Sequence, residues 1–287
     1  MFGKYHKKSS SKRGVSPVVS TVIMTGAIVA ILSVALVFAN NLLWSRVAEG
    51  DFDSSKQLMQ TVGLQIDDVA WTVGRTETIR YASKYGDVVL ESSVLTYNVS
   101  VVADGVTHEF SNTTGVLMFN IETSYHTIKD GYWERIYPNQ DESLTLTGTS
   151  APISRVFAIE RTPMPGGKYI RVVVAPSIRV LFSSIRSSTN TYYVRMYLPV
   201  LNAGDSPRLS ETLTLTGESI RAYTLNNVSS ISVSVDFPRA TSDDFDSAFF
   251  NFPADSQSFD FSTFDSEYDN IVFELYLSEV SAAFGVS

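Results

Sequence analysis

Few residues in this 287-residue chain have the chemistry of a catalytic site. Histidine is the usual acid–base group near neutral pH, and there are only three, at His6, His108 and His126. None of them stands in an HExxH pattern, and the chain has neither a G-x-S-x-G nucleophile elbow nor a Walker-type phosphate loop. We therefore expect no enzymatic activity, no catalytic residues, no metal site and no cofactor.

Aspartates in the C-terminal part have the oxygen ligands that Ca²⁺ prefers. Their spacing does not follow the EF-hand loop, so we interpret the segment as a solvated acidic loop, and Ca²⁺ binding within residues 243–265 stays open. The residues are Asp243, Asp244, Asp246, Asp255, Asp260 and Asp265.

Three Asn-x-Ser/Thr triplets begin at Asn98, Asn112 and Asn227. This triplet is the acceptor signal for N-glycosylation, a modification of surface loops in secreted proteins. We interpret the three asparagines as candidate glycosylation sites. The alternative is that the triplets occur by chance.

Charge and composition exclude several classes of protein. Five of the 22 Lys and Arg residues lie in residues 1–14, which hold no Asp or Glu, so the rest of the chain carries 17 basic against 30 acidic residues. Nucleic-acid binding needs a basic surface, so we expect this acidic chain not to bind nucleic acid. The absence of Cys excludes disulfide bonds and thiolate metal sites. An acidic chain rich in Ser and Thr suits a hydrated cell-surface protein.

A long apolar segment, residues 15–45, has no charged side chain. About 20 apolar residues span a bilayer as a helix, whereas the apolar core of a secretion signal has only about 7–15. The end of the segment, "FANNLLWSR", shows no obvious small-residue cleavage site. We predict that the segment stays on the protein as a transmembrane helix, with the basic residues on the cytoplasmic side and the chain beyond Arg46 outside.

Small residues in this segment have the spacing of close helix packing. Gly26 and Ala30 are four residues apart, and so are Ala35 and Ala39. Small-xxx-small spacing lets the backbones of neighbouring helices approach each other. It predicts helix–helix contacts through these four residues, and the alternative is a plain anchor with a random scatter of small residues.

The junction of the basic and apolar residues, "KRG" followed by "VSPVVSTVIM", resembles the class III (prepilin-type) signal of archaeal type IV pilins and archaellins. In that family a membrane peptidase cuts after the glycine of a basic–glycine pair, which is Arg13-Gly14 here, and Val15 becomes the new N-terminus. The resemblance covers residues 10–45. Bacterial members usually carry a glutamate at the fifth mature position, where this chain has Val19, and archaeal members commonly lack it.

The resemblance implies a set of partners and a change of location. Prepilin peptidase removes the leader, residues 1–14, and a pilus assembly platform with its ATPase packs the remaining helix against other pilin subunits. The protein is then a single-pass membrane protein before assembly and part of an extracellular filament afterwards. The chain is large for a major subunit, which favours a minor or tip pilin.

The pattern changes after the apolar segment. Residues 46–74 are predicted to continue the helix in amphipathic form up to Gly74, with Gly50 as a weak point. Residues 75–287 are predicted to be β-rich, since most of them alternate with period two and are rich in β-branched side chains, with a hairpin turn at Asp104-Gly105. Residues 238–266 show little period and are interpreted as a long loop. The predicted apolar stripe of the helix consists of Met59, Val62, Ile66, Val69 and Val73.

The predicted fold class is α+β: a long N-terminal hydrophobic helix followed by an extracellular antiparallel β-sandwich-like domain, of one or two sandwiches. The expected function is that of a filament subunit, assembled through its helix, with the β-domain exposed for adhesion. The alternative from another class is a single-pass, membrane-anchored extracellular binding protein that never polymerises. An anchored hydrolase is a third reading, which only the β-sandwich favours.

Overall fold

The computed structural model describes residues 17–81, 86–122, 133–138, 144–148, 154–160, 169–186, 190–204, 212–236, 256–263 and 267–285. These residues form one helix and thirteen strands. The elements are α1 (Pro17–Ala70), β1 (Thr76–Arg80), β2 (Gly86–Ala103), β3 (Val106–Glu122), β4 (Trp133–Tyr137), β5 (Thr145–Thr147), β6 (Ser154–Glu160), β7 (Tyr169–Pro176), β8 (Ile178–Ile185), β9 (Thr191–Ala203), β10 (Thr212–Leu225), β11 (Val228–Asp236), β12 (Ser256–Asp260) and β13 (Asn270–Phe284).

The long N-terminal helix of the prediction is confirmed. Helix α1 begins at Pro17, which suits a first helical turn because the missing N–H has no partner there anyway. It runs through Gly50, the predicted weak point, and ends at Ala70. Gly74, the predicted end, follows in the left-handed conformation with φ of 81°, which glycine adopts without steric cost.

The chain divides into two compact units between Val47 and Ala48. The described part of the first unit is the helical stretch 17–47, which is apolar on all sides. In the second unit, the stretch 48–70 of α1 buries one stripe of side chains. Four members of the predicted stripe are buried, and the fifth, Val73, lies beyond the helix and is exposed.

The strands form two sheets. The six-stranded sheet has the order β1-β10-β13-β9-β8-β5, and the seven-stranded sheet has the order β12-β11-β2-β3-β7-β6-β4. All pairs between described strands are antiparallel except β13–β9 and β5–β8, which are parallel. The predicted sheet-rich domain is thus confirmed. The two parallel pairs were not foreseeable, because a period-two pattern does not encode strand direction.

The hairpin turn between β2 and β3 lies where the sequence predicts it. Asp104 and Gly105 have φ angles of 50° and 73°, the left-handed values that a two-residue type I′ turn needs at both positions. The two strands pair from Ala103 and Val106 back to Gly86 and Ile121, interrupted by a register shift.

Two clusters of buried side chains form the core. The first takes residues from both sheets, such as Tyr97 of β2 and Phe273 of β13. The buried Tyr97 hydroxyl donates a hydrogen bond of 2.5 Å to the carbonyl of Pro176, so it is not left unsatisfied. The second cluster joins the buried stripe of α1 to residues of both sheets, including Leu117 and Leu213. Each such burial contributes about 1.5–3 kcal/mol.

The C-terminal end of α1 meets β10 at Gly217. The backbone N–H of Gly74 donates to the Gly217 carbonyl at 2.7 Å, and the Gly217 N–H donates to the Arg75 carbonyl at 3.0 Å. A Cβ on Gly217 would lie 2.3 Å from the carbonyl oxygen of Val69. This approach therefore requires a glycine.

Candidate membrane and assembly segment

The first part of α1, residues 17–47, exposes large apolar side chains on every side. Their exposed fractions range from 44% for Trp44 to 70% for Val34, Leu36 and Phe38. Contiguous exposed apolar surface of this kind marks a membrane or protein contact. The exposed side chains are Val18, Val19, Val22, Ile23, Met24, Ile28, Val29, Ile31, Leu32, Val34, Leu36, Val37, Phe38, Leu42, Leu43, Trp44 and Val47.

Helix α1 is long and apolar enough to cross a membrane, and within the described residues it is the one helix that is. Its most apolar 18-residue window has a mean hydropathy of 2.7 and no buried residue. At 1.5 Å per residue, residues 17–47 measure about 46 Å. The hydrocarbon core of a bilayer is only about 30 Å thick.

Hydroxyl groups in this segment bond to the helix itself. Thr21 donates to the carbonyl of Val18 at 2.8 Å, and Thr25 donates to the carbonyl of Thr21 at 2.9 Å. Ser33 donates to the carbonyl of Val29 at 2.8 Å. In lipid an unsatisfied hydroxyl would cost free energy, so these bonds make the three polar residues compatible with an apolar environment.

The four small residues of the sequence analysis fall on two faces of α1. A helix turns about 100° per residue, so Gly26 and Ala30 lie about 40° apart on one face, and Ala35 and Ala39 are about 180° away on the opposite face. All four are exposed, and a Cβ on Gly26 would meet nothing within 4 Å. The helix therefore offers close-approach positions on two opposite sides.

The predicted processing residues, Arg13, Gly14 and Val15, lie outside the described residues, as do His6 and His126. So do all the aspartates of the acidic run except Asp260. Asp260 is exposed on β12 and accepts a hydrogen bond of 2.9 Å from the backbone N–H of Ser262, which lowers the pKa of its carboxyl. His108 is half-buried on β3. Within the described part of the chain, no three His, Asp or Glu side chains are grouped to hold a metal ion.

The three glycosylation candidates have different surroundings. Asn227 is exposed between β10 and β11 with φ of 52°, and its amide donates to Asp104 at 2.8 Å. Asn98 lies on the outer face of β2, since its neighbours along the strand point into the core, and its amide donates to Asp236 at 2.5 Å. Asn112 is half-buried and pairs in register with the buried Tyr97, which places it on the core side of β3.

Sequence reasoning missed the polar contacts that hold residues 48–70 of α1 to the sheets. Lys56 donates to the carboxylate of Glu134 at 2.7 Å, although the two residues are 78 positions apart in the chain. Arg179 of β8 lies 3.6 Å from the carboxylate of Asp67. A single sequence contains no signal that would pair residues so far apart.

Comparison with protein-family models, with curated proteins and with solved structures found no match to this chain.

Proposed function

We propose that the protein is a cell-surface filament subunit of the archaeal type IV pilin kind. Residues 15–45 first anchor the chain in the membrane and then pack against the same segment of other subunits. The sheet domain is exposed on the filament for adhesion, and the protein has no enzymatic activity.

The observation that carries this proposal is the contrast within one helix. Residues 17–47 expose apolar side chains all round, whereas residues 48–70 bury a single stripe. A lone anchor needs only apolar character, but a helix surrounded by its copies also needs close approach on more than one side. The two pairs, Gly26 with Ala30 and Ala35 with Ala39, supply that on opposite faces.

The sequence at Arg13-Gly14 supplies the second support. The prepilin-type junction stands directly before the apolar segment, so a cut there removes the basic leader and leaves the helix intact. Prepilin peptidase, an assembly platform with its ATPase, other pilin subunits and the membrane are the partners that this proposal requires. The length of the chain favours a minor or tip subunit.

The β-sandwich of the sheet domain is part of the same proposal. Its support is the buried cluster that takes side chains from both sheets, as expected where two sheets pack face to face. Glycosylation is proposed at Asn227 and Asn98, whose amides lie on outer surfaces. Asn112 is the least accessible of the three acceptors, because it lies on the core side of its strand.

A membrane-anchored extracellular binding protein is the second candidate. The observation in its favour is that a single apolar helix is enough to anchor a chain, whether or not the chain polymerises. The two candidates differ in processing, because an anchor needs no cleavage at its N-terminus.

The test of the proposal is the N-terminus of the membrane-bound protein, compared between the natural chain and Gly14→Asp. We expect mass spectrometry to find Val15 as the first residue of the natural protein. A charged side chain at the cleavage site should block the peptidase, so Gly14→Asp should accumulate with its leader attached. Gly3→Asp, in the same leader but away from the junction, is the matched control and should be processed normally. If the natural membrane-bound protein still carries residues 1–14, the result would favour the simple anchor.

A further inference from the structure

One face of the six-stranded sheet carries a row of three planar side chains that ends at an alanine. Arg179 of β8, Tyr197 of β9, Tyr276 of β13 and Ala222 of β10 are register partners across four neighbouring strands. They lie on the face opposite to the one that lines the first core cluster, because the residues on either side of Tyr197 along β9 are buried in that cluster. Tyr197 itself packs against the second cluster, at the end of the row nearer to α1. We call these four positions the tyrosine row.

The two tyrosines of the row are stacked face to face. The ring centres of Tyr197 and Tyr276 are 5.0 Å apart, and the ring planes differ by only 10°. Two rings lying side by side in one plane cannot approach so closely, so the rings stand upright on the sheet with offset faces in contact. The guanidinium of Arg179 is 5.1 Å from the Tyr197 ring centre, and the indole of Trp71 meets that ring edge-on at 5.2 Å.

The row has an open end at Ala222. Within the described residues, Tyr197 is the one ring that packs against Tyr276. The next position, Ala222, is exposed and small. Strand β1 pairs with β10 only at residues 212–216, so no described strand flanks Ala222 on its other side. Because strands are about 4.8 Å apart, a ring placed above Ala222 would continue the stack at nearly the spacing of the two tyrosines.

The charges beside the row are paired with each other. The guanidinium of Arg195 donates to Glu274 at 2.5 Å, and this hydrogen bond raises the pKa of Arg195. The Tyr276 hydroxyl donates to the same carboxylate at 3.2 Å. Burial, and then the nearby Glu274 charge, raise the pKa of Tyr276, so its phenol stays neutral. With opposite charges this close, the surface offers little net attraction to a charged ligand.

We infer that the open end of the tyrosine row binds one ring of a neutral saccharide. A pyranose has a rim of hydroxyls and an apolar C–H face, and the C–H face suits the side of the Tyr276 ring that is turned away from Tyr197. The hydroxyls of Thr224, which is exposed on the same face of β10, and of Tyr276 supply hydrogen-bonding groups at that rim. Ala222 leaves the room that the sugar ring needs. The inference rests on the proposed function in one respect, the extracellular position of the sheet domain.

The test uses the full chain in a detergent without a sugar head group, lauryldimethylamine oxide, so that the detergent does not compete. The probes are fluorescently labelled cellohexaose, chitohexaose, maltohexaose and mannohexaose, and the readout is binding by thermophoresis. We expect at least one probe to bind, and Tyr276→Ala to weaken it by about tenfold, the equivalent of one stacking contact.

Two changes at one position separate stacking from loss of structure. Ala222→Phe fills the open end with a ring of the protein and should weaken binding as much as Tyr276→Ala. Ala222→Ser keeps the space and should leave the affinity within about twofold, a change of less than 0.5 kcal/mol. Circular dichroism should show the same fold for all three variants.

The inference is wrong if none of the four probes binds the natural chain more tightly than Tyr276→Ala. It is also wrong if the variants alter self-association in analytical ultracentrifugation without altering saccharide binding, since the row is then a contact between copies. Neither result depends on leader processing or on filament formation. If saccharide binding is not found, the proposed filament function is unaffected. If the filament function is wrong, the saccharide-binding measurement can still be interpreted.

Discussion

The two parts of helix α1 differ in what their apolar side chains contact. In residues 48–70 the apolar residues keep to one stripe, and Met59, Val62 and Ile66 are almost completely buried against both sheets. In residues 17–47 the apolar residues surround the helix, and nothing in the described unit covers them. The same secondary structure thus has two different surroundings: the second part completes a core, and the apolar surface of the first part is left uncovered by the described residues.

Helical propensity does not distinguish the two parts of α1. Both parts are regular helix, and Gly50 does not interrupt them. What separates them is the contacts of their polar residues. In the first part, Thr21, Thr25 and Ser33 donate hydrogen bonds to carbonyls of the helix itself. In the second part, Lys56 contacts an acidic side chain and Asp67 a basic one, both on the sheets. The difference predicts that the same type of substitution destabilises the sheet domain when it is made in the second part and leaves it unchanged when it is made in the first.

The largest expected effect is that of truncating a buried residue in the second part. Ile66 is completely buried, so Ile66→Ala should lower the free energy of unfolding of the sheet domain by about 2–5 kcal/mol through lost burial and a cavity. Urea unfolding of the full chain in detergent, followed by tryptophan fluorescence, measures it. Ile31→Ala is the matched control in the first part, where the side chain is 68% exposed, and should leave this unfolding unchanged. If both variants lost the same free energy of unfolding, the distinction between the two parts of α1 would be wrong.

The next effect concerns close packing in the first part. Gly26→Leu makes the segment more apolar, so insertion into the membrane should persist. A leucine at a close helix–helix contact should cost about 1–3 kcal/mol at each contact, repeated at every subunit. Filaments released by shear and counted by electron microscopy should therefore decrease, while membrane-fraction blots stay normal. Unchanged filament numbers would show that Gly26 does not lie at a tight contact.

A smaller effect is expected where the second part ends. Gly217→Ala places a Cβ against the carbonyl oxygen of Val69, so the end of α1 must move and the sheet domain should lose about 1–3 kcal/mol. Gly50→Ala is the contrasting change, because its Cβ would meet nothing and alanine favours a helix by about 1 kcal/mol. Thermal unfolding should shift down for the first and slightly up for the second. A Gly217→Ala variant as stable as the natural chain would mean that helix and sheet are not held as tightly as the structure indicates.

The sequence predicted the parts of the fold that depend on local pattern. The apolar run, the stripe through Met59, Val62, Ile66 and Val69 and the Asp104-Gly105 turn each contain their own signal in residue spacing or turn chemistry. The end of the helix was predicted less accurately. The predicted apolar stripe continues to Val73, but the helix ends at Ala70. Backbone hydrogen bonds with Gly217 hold the loop that follows.

Long-range features could not be predicted. The parallel pairing of β9 with β13 and the stack of Tyr197 on Tyr276 join residues nearly 80 positions apart, and no spacing rule connects them. The sequence analysis sets the start of the β-rich domain at residue 75, and the compact unit that contains the sheets also includes residues 48–70 of α1. The helical stripe belongs to that unit only because of side chains that come much later in the chain. The helix-packing positions Gly26, Ala30, Ala35 and Ala39 were visible in the sequence, and their contacts stay a prediction.

The central claim is that the exposed part of α1 becomes the core of a filament. Its most direct test is to shear filaments from cells, purify them and identify their chains by mass spectrometry. We predict that this chain is present in the filament fraction and that its N-terminal peptide begins at Val15. Finding the chain only in the membrane fraction, with residues 1–14 still attached and no copy in any filament, would contradict the claim.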